Sequence, residues 1–331
     1  MKSTYISWVR HHRNSELLAQ NLGASMHYIY VGQAGRPWGA ALRYVVQSWQ
    51  TWKVLRCERP DAIIIQNPPF SCVLLIYLYT RLHGGQYIID SHTGAFTSWK
   101  WRWSLGLHRW LSASALTTIV HNESQAEIVN DWGCRYCVLG YRPGTYPAGE
   151  PYPLNGHFNV VVSCSFFGDE PVDVVFEAAS GLKDICFYVT GDYARLDTDT
   201  LAAKPNNCHL TGYIPYEQYV GLLREADAVM ALTRRSDSLL MGALEAVALG
   251  KPAIVSDSPI LRDYFSLGTI HVSNSVEGVR SGVRQVQQSR ATLQQEMALL
   301  RDQLQVEWEE KILELQALLQ GNQENPVGVL A

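Results

Sequence analysis

Short apolar runs rich in β-branched residues alternate along the whole chain with longer stretches of helical periodicity, the pattern of parallel βαβ units. In the first half the runs at 4–9, 27–31, 62–66, 86–90 and 116–120 read as strands, and the stretches 15–22, 38–58 and 71–83 are long enough for crossover helices. A Pro- and Gly-rich segment at 142–156 (RPGTYPAGEPYPLNG) interrupts the pattern and reads as a linker. A second series follows, with strands at 159–164, 185–190, 208–210, 228–232, 252–255 and 269–272 and helices at 171–179, 216–225 and 243–249. From 283 to 319, Leu293, Met297, Leu300, Leu304, Trp308, Ile312, Leu315 and Leu319 fall three or four residues apart. That stripe predicts one long or broken amphipathic helix packing across both domains, with a coiled coil as the alternative. The expectation is an α/β chain with Rossmann-like domains at 1–150 and 151–282 and a helical tail at 283–331.

Length and composition agree, because 331 residues with 47% hydrophobic and 18% charged positions can bury two cores. Charge adds an asymmetry: residues 1–150 hold 14 Lys and Arg against 8 Asp and Glu, and the remainder 13 against 23. Nine of the ten Trp and seven of the ten His also lie in the basic half, which points to an anionic or interfacial ligand there. Of the seven Cys only Cys134 and Cys137 are close, and no second pair or nearby His completes a zinc pattern. They read as reduced thiols of a cytoplasmic protein. The apolar runs at 5–9 and 73–79 are too short for a secretory signal or for the roughly 20 residues of a membrane span.

Chemistry concentrates in residues 232–257, LTRRSDSLLMGALEAVALGKPAIVSD. A strand ends near Leu232, a loop carries Arg234, Arg235 and Asp237, and a helix opens near Gly242 with Glu245 in its first turn. Ligands of doubly wound sheets bind beyond the carboxyl ends of the strands, helix-start amides favour phosphate, and a carboxylate suits ribose hydroxyls. With GYIPYEQYVGLLREADAVMAL ahead of it, this order resembles the C-terminal domain of GT-B glycosyltransferases, closest to family 4 (group 1). The resemblance implies two Rossmann-like domains facing a central cleft. It makes Glu245 the ribose ligand and Asp237 the sugar-side acid, with Gly242 and Ala243 offering amides to the diphosphate. Gly212 and Tyr213 resemble the turn beneath the nucleobase. Two departures stand out: the family usually has glutamate at the position of Asp237, and the loop SCSFFGD (163–169) lacks the Arg often set against the diphosphate. Arg234 and Arg235 are the substitutes.

In the first half, IIIQNPPF and YIIDSHTGAF place Asn67, Asp90 and His92 just after buried strands. The second segment resembles the family's strand-to-loop stretch whose His faces donor sugar and acceptor. His92 is then a candidate catalytic group with Asp90 as its orienting partner, and as a base in an inverting enzyme. The QNPP and DSH segments also resemble the mannosyltransferase that extends lipid-linked chitobiose. His11, His12 and Arg13 follow the first strand and open a helix with Ser or Asn as its cap, in the loop that faces the acceptor in GT-B enzymes. In SWKWRWSLGLHRW (98–110), Trp99, Trp101, Trp103 and Trp110 alternate with basic residues, as at a membrane interface. Asp197-Thr198-Asp199 matches the metal-binding DxD pattern but is discounted, since the GT-B plan does not use one. No GxGxxG or phosphate-loop motif supports a dinucleotide oxidoreductase or a nucleotide hydrolase.

The leading expectation is a metal-independent hexosyltransferase of polysaccharide biosynthesis. It uses a UDP- or GDP-sugar donor, no cofactor, and a lipid-linked or glycan acceptor, with retention favoured over inversion. Its place is cytoplasmic, peripheral at the inner face of the membrane, with no nucleic-acid partner. A non-hydrolysing sugar-nucleotide epimerase and a catalytically inactive nucleotide-sugar-binding subunit are the alternatives.

Overall fold

The computed structural model describes residues 1–32 and 37–321. Strands β1 (Ser3–Ser7), β2 (Ala24–Tyr28), β3 (Ala62–Asn67), β4 (Gln86–Ser91), β5 (Thr117–Val120) and β6 (Tyr136–Val138) form one sheet in the order β2-β1-β3-β4-β5-β6. A second sheet, β12-β11-β10-β7-β8-β9, is built from β7 (Asn159–Val162), β8 (Cys186–Thr190), β9 (Cys208–Gly212), β10 (Ala228–Ala231), β11 (Ala253–Ser256) and β12 (Thr269–Val272). Every pairing in both is parallel.

Parallel strands covered by helices on both faces carry apolar side chains on both, and β3 shows the alternation. Ile63 and Ile65 enter a core with Leu55, Val73, Ile76 and Leu111, whereas Ala62 and Ile64 enter the opposite core with Leu18, Ala19 and Leu22. In the second sheet Val160, Val162, Phe187, Val189 and Met230 pack against Val175, Phe176 and Ala179 of the helix Val172–Ser180.

Two strands depart from the sequence reading. β2 sits three residues earlier than 27–31, because this edge strand is half polar and the more apolar residues after it draw the pattern away. β6 has three residues, too few to show a period.

The helix Val276–Leu319 breaks its regular backbone at Ser289 (φ −113°, ψ 18°). Val279, Val283, Val286 and Leu293 belong to the core of the second sheet, and Trp308, Ile312, Leu315 and Leu319 to a core of the first. The compact units are Met1–Arg142 with the segment from Val306, and Pro143–Gln305. The expected tail at 283–331 is therefore shared between them instead of standing alone, and its last ten positions, 322–331, lie outside the described residues. Among the described residues no helix is long and apolar enough to cross a membrane, and all seven cysteines are free.

Candidate functional site

In the second sheet the chain order reverses at β7 and β10, which are neighbours, so their carboxyl ends open the crevice where doubly wound folds take ligands. The loop after β7 wraps the Glu170 carboxylate. It accepts from the Ser165 amide (3.0 Å), the Ser165 hydroxyl (2.9 Å) and the Phe167 amide (3.0 Å). The loop after β10 is tied to it through Asp169, whose carboxylate accepts from Thr233 Oγ1 at 3.1 Å and whose carbonyl accepts from the Arg234 amide at 2.6 Å. The helix Met241–Leu249 then starts against the strand ends. A Cβ on Gly242 would lie 2.4 Å from Ser163 Cβ and 3.2 Å from Ala231 Cβ, so only glycine allows this approach.

Glu245 is the fifth residue of that helix, in its second turn and not its first as expected. Its position is set by a residue that sequence reading did not single out: Tyr219, on the helix Tyr216–Glu225, donates its hydroxyl to Glu245 Oε2. Burial, and then the Glu245 charge, push the Tyr219 phenol well above its usual pKa, so it stays a donor. This contact fixes the Glu245 carboxylate from a neighbouring helix. The Ala243 amide closes a turn on the Leu240 carbonyl at 3.1 Å. Gly242, one residue earlier, is at the helix position whose amide has no intrahelical acceptor.

Both loop arginines are partnered. Arg234 Nη2 meets Asp173 Oδ1 at 2.9 Å, and Arg235 Nε meets Asp237 Oδ1 at 3.3 Å. Burial raises the Asp237 pKa, but Arg235 outweighs it and holds the carboxyl below its ordinary range. Gly212 ends β9 with φ +66°, a conformation that favours glycine. Tyr213 beside it is exposed, and the ring of Tyr193, also exposed, would touch a Cβ at Gly212 at 3.5 Å. Because the sheet is parallel, these rings stand at the same edge as the β7 and β10 loops. Asp197, the first residue of the DxD match, caps the helix Thr198–Ala202 by accepting from the Thr200 amide at 2.8 Å.

In the first unit the carboxyl ends of β1, β4 and β5 assemble a histidine cluster around buried Asp90. His92 Nε2 lies 3.3 Å from Asp90 Oδ2, but this buried nitrogen makes no aligned hydrogen bond. The aligned partners are Tyr5, which donates its hydroxyl to Oδ2, and His121, whose Nε2 lies 3.0 Å from Oδ1. Asp90 as the orienting partner of His92 is thus only partly realised, and the missed residue is His121. Asp90, His92 and His121 each bring a ligand atom within 4.8 Å of the others, a spacing that a divalent ion could use.

His12, not Ser or Asn, caps the helix Arg13–Asn21, its Nδ1 accepting from the Ser15 amide at 3.3 Å. His11 pairs with Glu16 at 3.1 Å, and Arg13 is exposed. Asn67, expected to face an acceptor, is 2% exposed, and its side-chain amide lies 3.1 Å from His108 Nε2 and 3.4 Å from Ser91 Oγ. It braces the ends of β3 and β4.

Acid lability follows from two of these histidines. Burial lowers the pKa of His12 and of His108 to about 4. The unfolded chain takes a proton on each near the ordinary 6.5, whereas the folded chain resists until about 4, so stability is lost as pH falls through that window. For His108 the loss is roughly 3 kcal/mol by pH 4, and His12 adds in the same direction. Denaturant unfolding followed between pH 7 and pH 4.5 should show a declining midpoint, and a flat profile would contradict buried neutral imidazoles.

Trp99 and Trp103 are 86% and 71% exposed and Trp110 46%, while Trp101 is half-buried. Phe70 lies edge-on to Trp101 and Trp103, and Tyr77 to Trp110. The exposed Leu78 and Leu82 extend the patch along the helix Phe70–His83, and Lys100 and Arg81 stack on its rings.

Residues 157–298 match the family profile of glycosyl transferases group 1. No curated protein matches the chain by sequence. Among solved structures it is similar to the sucrose-phosphate synthase of Thermosynechococcus elongatus, with TM-score 0.71 and 12% identity over 97% of this chain and 99% of that one. HepE of Anabaena, solved with UDP and glucose, gives 0.69 and 11% over 96% and 99%. A Listeria monocytogenes structure assigned to a UDP-N-acetylglucosamine 2-epimerase gives 0.68 and 12% over 100% and 99%. The second unit thus carries a glycosyl transferases group 1 domain over residues 157–298, and the two-sheet architecture of the chain is the GT-B fold of these solved structures.

Proposed function

We propose that the protein moves a hexose from a UDP- or GDP-sugar to a lipid-linked or polysaccharide-precursor acceptor, without a metal and with retention of configuration. The observation that carries this reading is Glu245, anchored by Tyr219 beside the Gly242 approach at the β7–β10 crevice. A fixed carboxylate there suits ribose hydroxyls, and the Gly242 amide at the helix start suits the diphosphate. Arg234 and Arg235 supply the cationic charge when they turn from Asp173 and Asp237, and this replaces a metal at the leaving group. Tyr193 and Tyr213 offer faces for the base. Retention is favoured over inversion because Asp90 is committed to Tyr5 and His121, which leaves His92 without an aligned carboxylate to make it a base. HepE, with UDP and glucose bound, makes a UDP-sugar the first donor to try.

A thermal-shift screen of UDP-, GDP- and ADP-sugars tests the donor, since a ligand bound only by the folded state raises the melting temperature. A rise with UDP- or GDP-sugars is expected, and none with any of them would refute the donor site. The epimerase reading is kept for the likeness to the Listeria structure. Incubation with donor alone separates the two: an epimeric nucleotide sugar marks an epimerase, and acceptor-dependent release of nucleotide a transferase. Bound nucleotide without turnover across a broad acceptor panel would mark an inactive partner subunit.

The Trp99–Trp110 segment with Leu78 and Leu82 serves in this reading as a peripheral contact with the inner face of an anionic membrane. Liposome flotation should fall when Trp99 and Trp103 are both changed to Ser, and equal flotation of variant and wild type would remove the contact.

A further inference from the structure

The contacts of His121 pose a problem of proton count. Its Nδ1 lies 3.0 Å from the Leu139 carbonyl oxygen, and its Nε2 lies 3.0 Å from Asp90 Oδ1. The Leu139 carbonyl is an acceptor, and Asp90 as a carboxylate is a second one; a neutral imidazole has one N–H, so beside an ionised Asp90 one contact would set a lone pair against an oxygen. An imidazolium satisfies both. The residue is 6% exposed. Burial alone would lower the pKa of His121, but the Asp90 hydrogen bond and charge and the Leu139 carbonyl outweigh it and hold it above its ordinary value. Asp90 is held well below the carboxylate range: burial opposes this, and His92 and His121 prevail.

This pair borders His92 directly. The His92 and His121 ring centroids are 4.6 Å apart, and the edge of His12 closes the far side of His92 at 4.7 Å. The titratable groups facing His121 are Tyr5 on β1, His12 before its helix, Asp90 and His92 at the end of β4, and Tyr141 and Arg142 after β6. Tyr141 stacks on His121 at 5.5 Å, and burial and then Asp90 raise its phenol to about 12, so it stays neutral.

We infer that His121 is a positioning residue of the transfer reaction: as a doubly protonated ring bridging Asp90 and Leu139, it fixes Asp90 and packs His92 toward the substrate. The inference rests on the proposed transferase activity. It adds a second, charged histidine, 31 residues from Asp90 in the chain, to a site whose sequence shows only Asp90 and His92.

Long-range nitrogen NMR of the imidazoles tests the charge without turnover. At pH 7 the wild-type protein should show both His121 nitrogens protonated. A single-proton tautomer overturns the inference, as does stoichiometric zinc carried by the purified protein and lost in Asp90→Asn. Kinetics test the role: in His121→Gln, which keeps a donor for Asp90, and His121→Phe, which keeps the ring, kcat should fall about tenfold or more with the donor KM within about twofold. Unchanged kcat in His121→Phe overturns the inference. If both variants unfold, the wild-type spectrum still decides it. Absence of any transfer by the wild type, with the charged spectrum present, counts against the transferase reading and not against the charge.

Discussion

Glu245→Ala should weaken binding of the nucleotide donor roughly 10- to 100-fold, the loss expected when hydrogen bonds to a charged group worth about 1.5–3 kcal/mol are removed. Titration calorimetry with UDP and GDP reads this directly, and unchanged affinity would exclude a ribose role. Tyr219→Phe is the informative companion. It keeps the carboxylate and removes only the hydroxyl that anchors it, so affinity should fall by less, about threefold to tenfold, through lost preorganisation. Should Tyr219→Phe cost as much as Glu245→Ala, the two residues act as one unit, or the tyrosine itself touches the donor.

Gly242→Val should lower stability and nucleotide affinity together. A Cβ at Gly242 falls 2.4 Å from Ser163 Cβ and 2.6 Å from Ser163 Oγ. Rotating Ser163 moves its Oγ but not its Cβ, so the helix start must shift away from the ends of β7 and β10. Overpacking of this kind costs about 1–3 kcal/mol, with Val at or beyond the upper end. Because the displaced backbone is also the proposed phosphate contact, nucleotide affinity should fall together with the denaturation midpoint. Ser163→Gly in the same chain should recover part of both, and a double variant no better than Gly242→Val would place the strain elsewhere.

The helix–strand plan is legible in the sequence wherever a strand is buried on both faces, as the runs around Ile63–Ile65 and Val160–Val162 are. Edge strands are not: β2, Ala-Ser-Met-His-Tyr, is half polar and reads three residues late. The proposed donor site is legible as a motif because Asp237, Gly242 and Glu245 are close in sequence. Its supports are not, because Tyr219 reaches Glu245 from 26 residues away across two helices. Glu170, whose carboxylate organises the loop lacking the family's arginine, reads as an ordinary acid ahead of a helix. In the first unit, Asn67 follows a strand and looks like a cleft residue, yet it turns inward to His108. A one-dimensional pattern locates the end of a strand but not the direction of a single side chain beyond it. His121 is hidden for the same reason: only the adjacency of β4 and β5 brings it to Asp90.

The divided helix Val276–Leu319 also fixes an order of events during synthesis. Strands β1 to β6 leave the ribosome early, but the side chains that close one face of their sheet, Trp308, Ile312, Leu315 and Leu319, are made more than 160 residues after β6 ends. The second sheet has all its strands before then. The nascent chain therefore completes its later-made half first, while the earlier half waits with its apolar face around Tyr5, Ile64 and Ile88 only partly covered, by Leu18, Ala19 and Leu22. A chain stopped before Trp308 would leave the rest of that face open, which makes the last helical turns the point at which a truncated product turns from a folded protein into a substrate for chaperones.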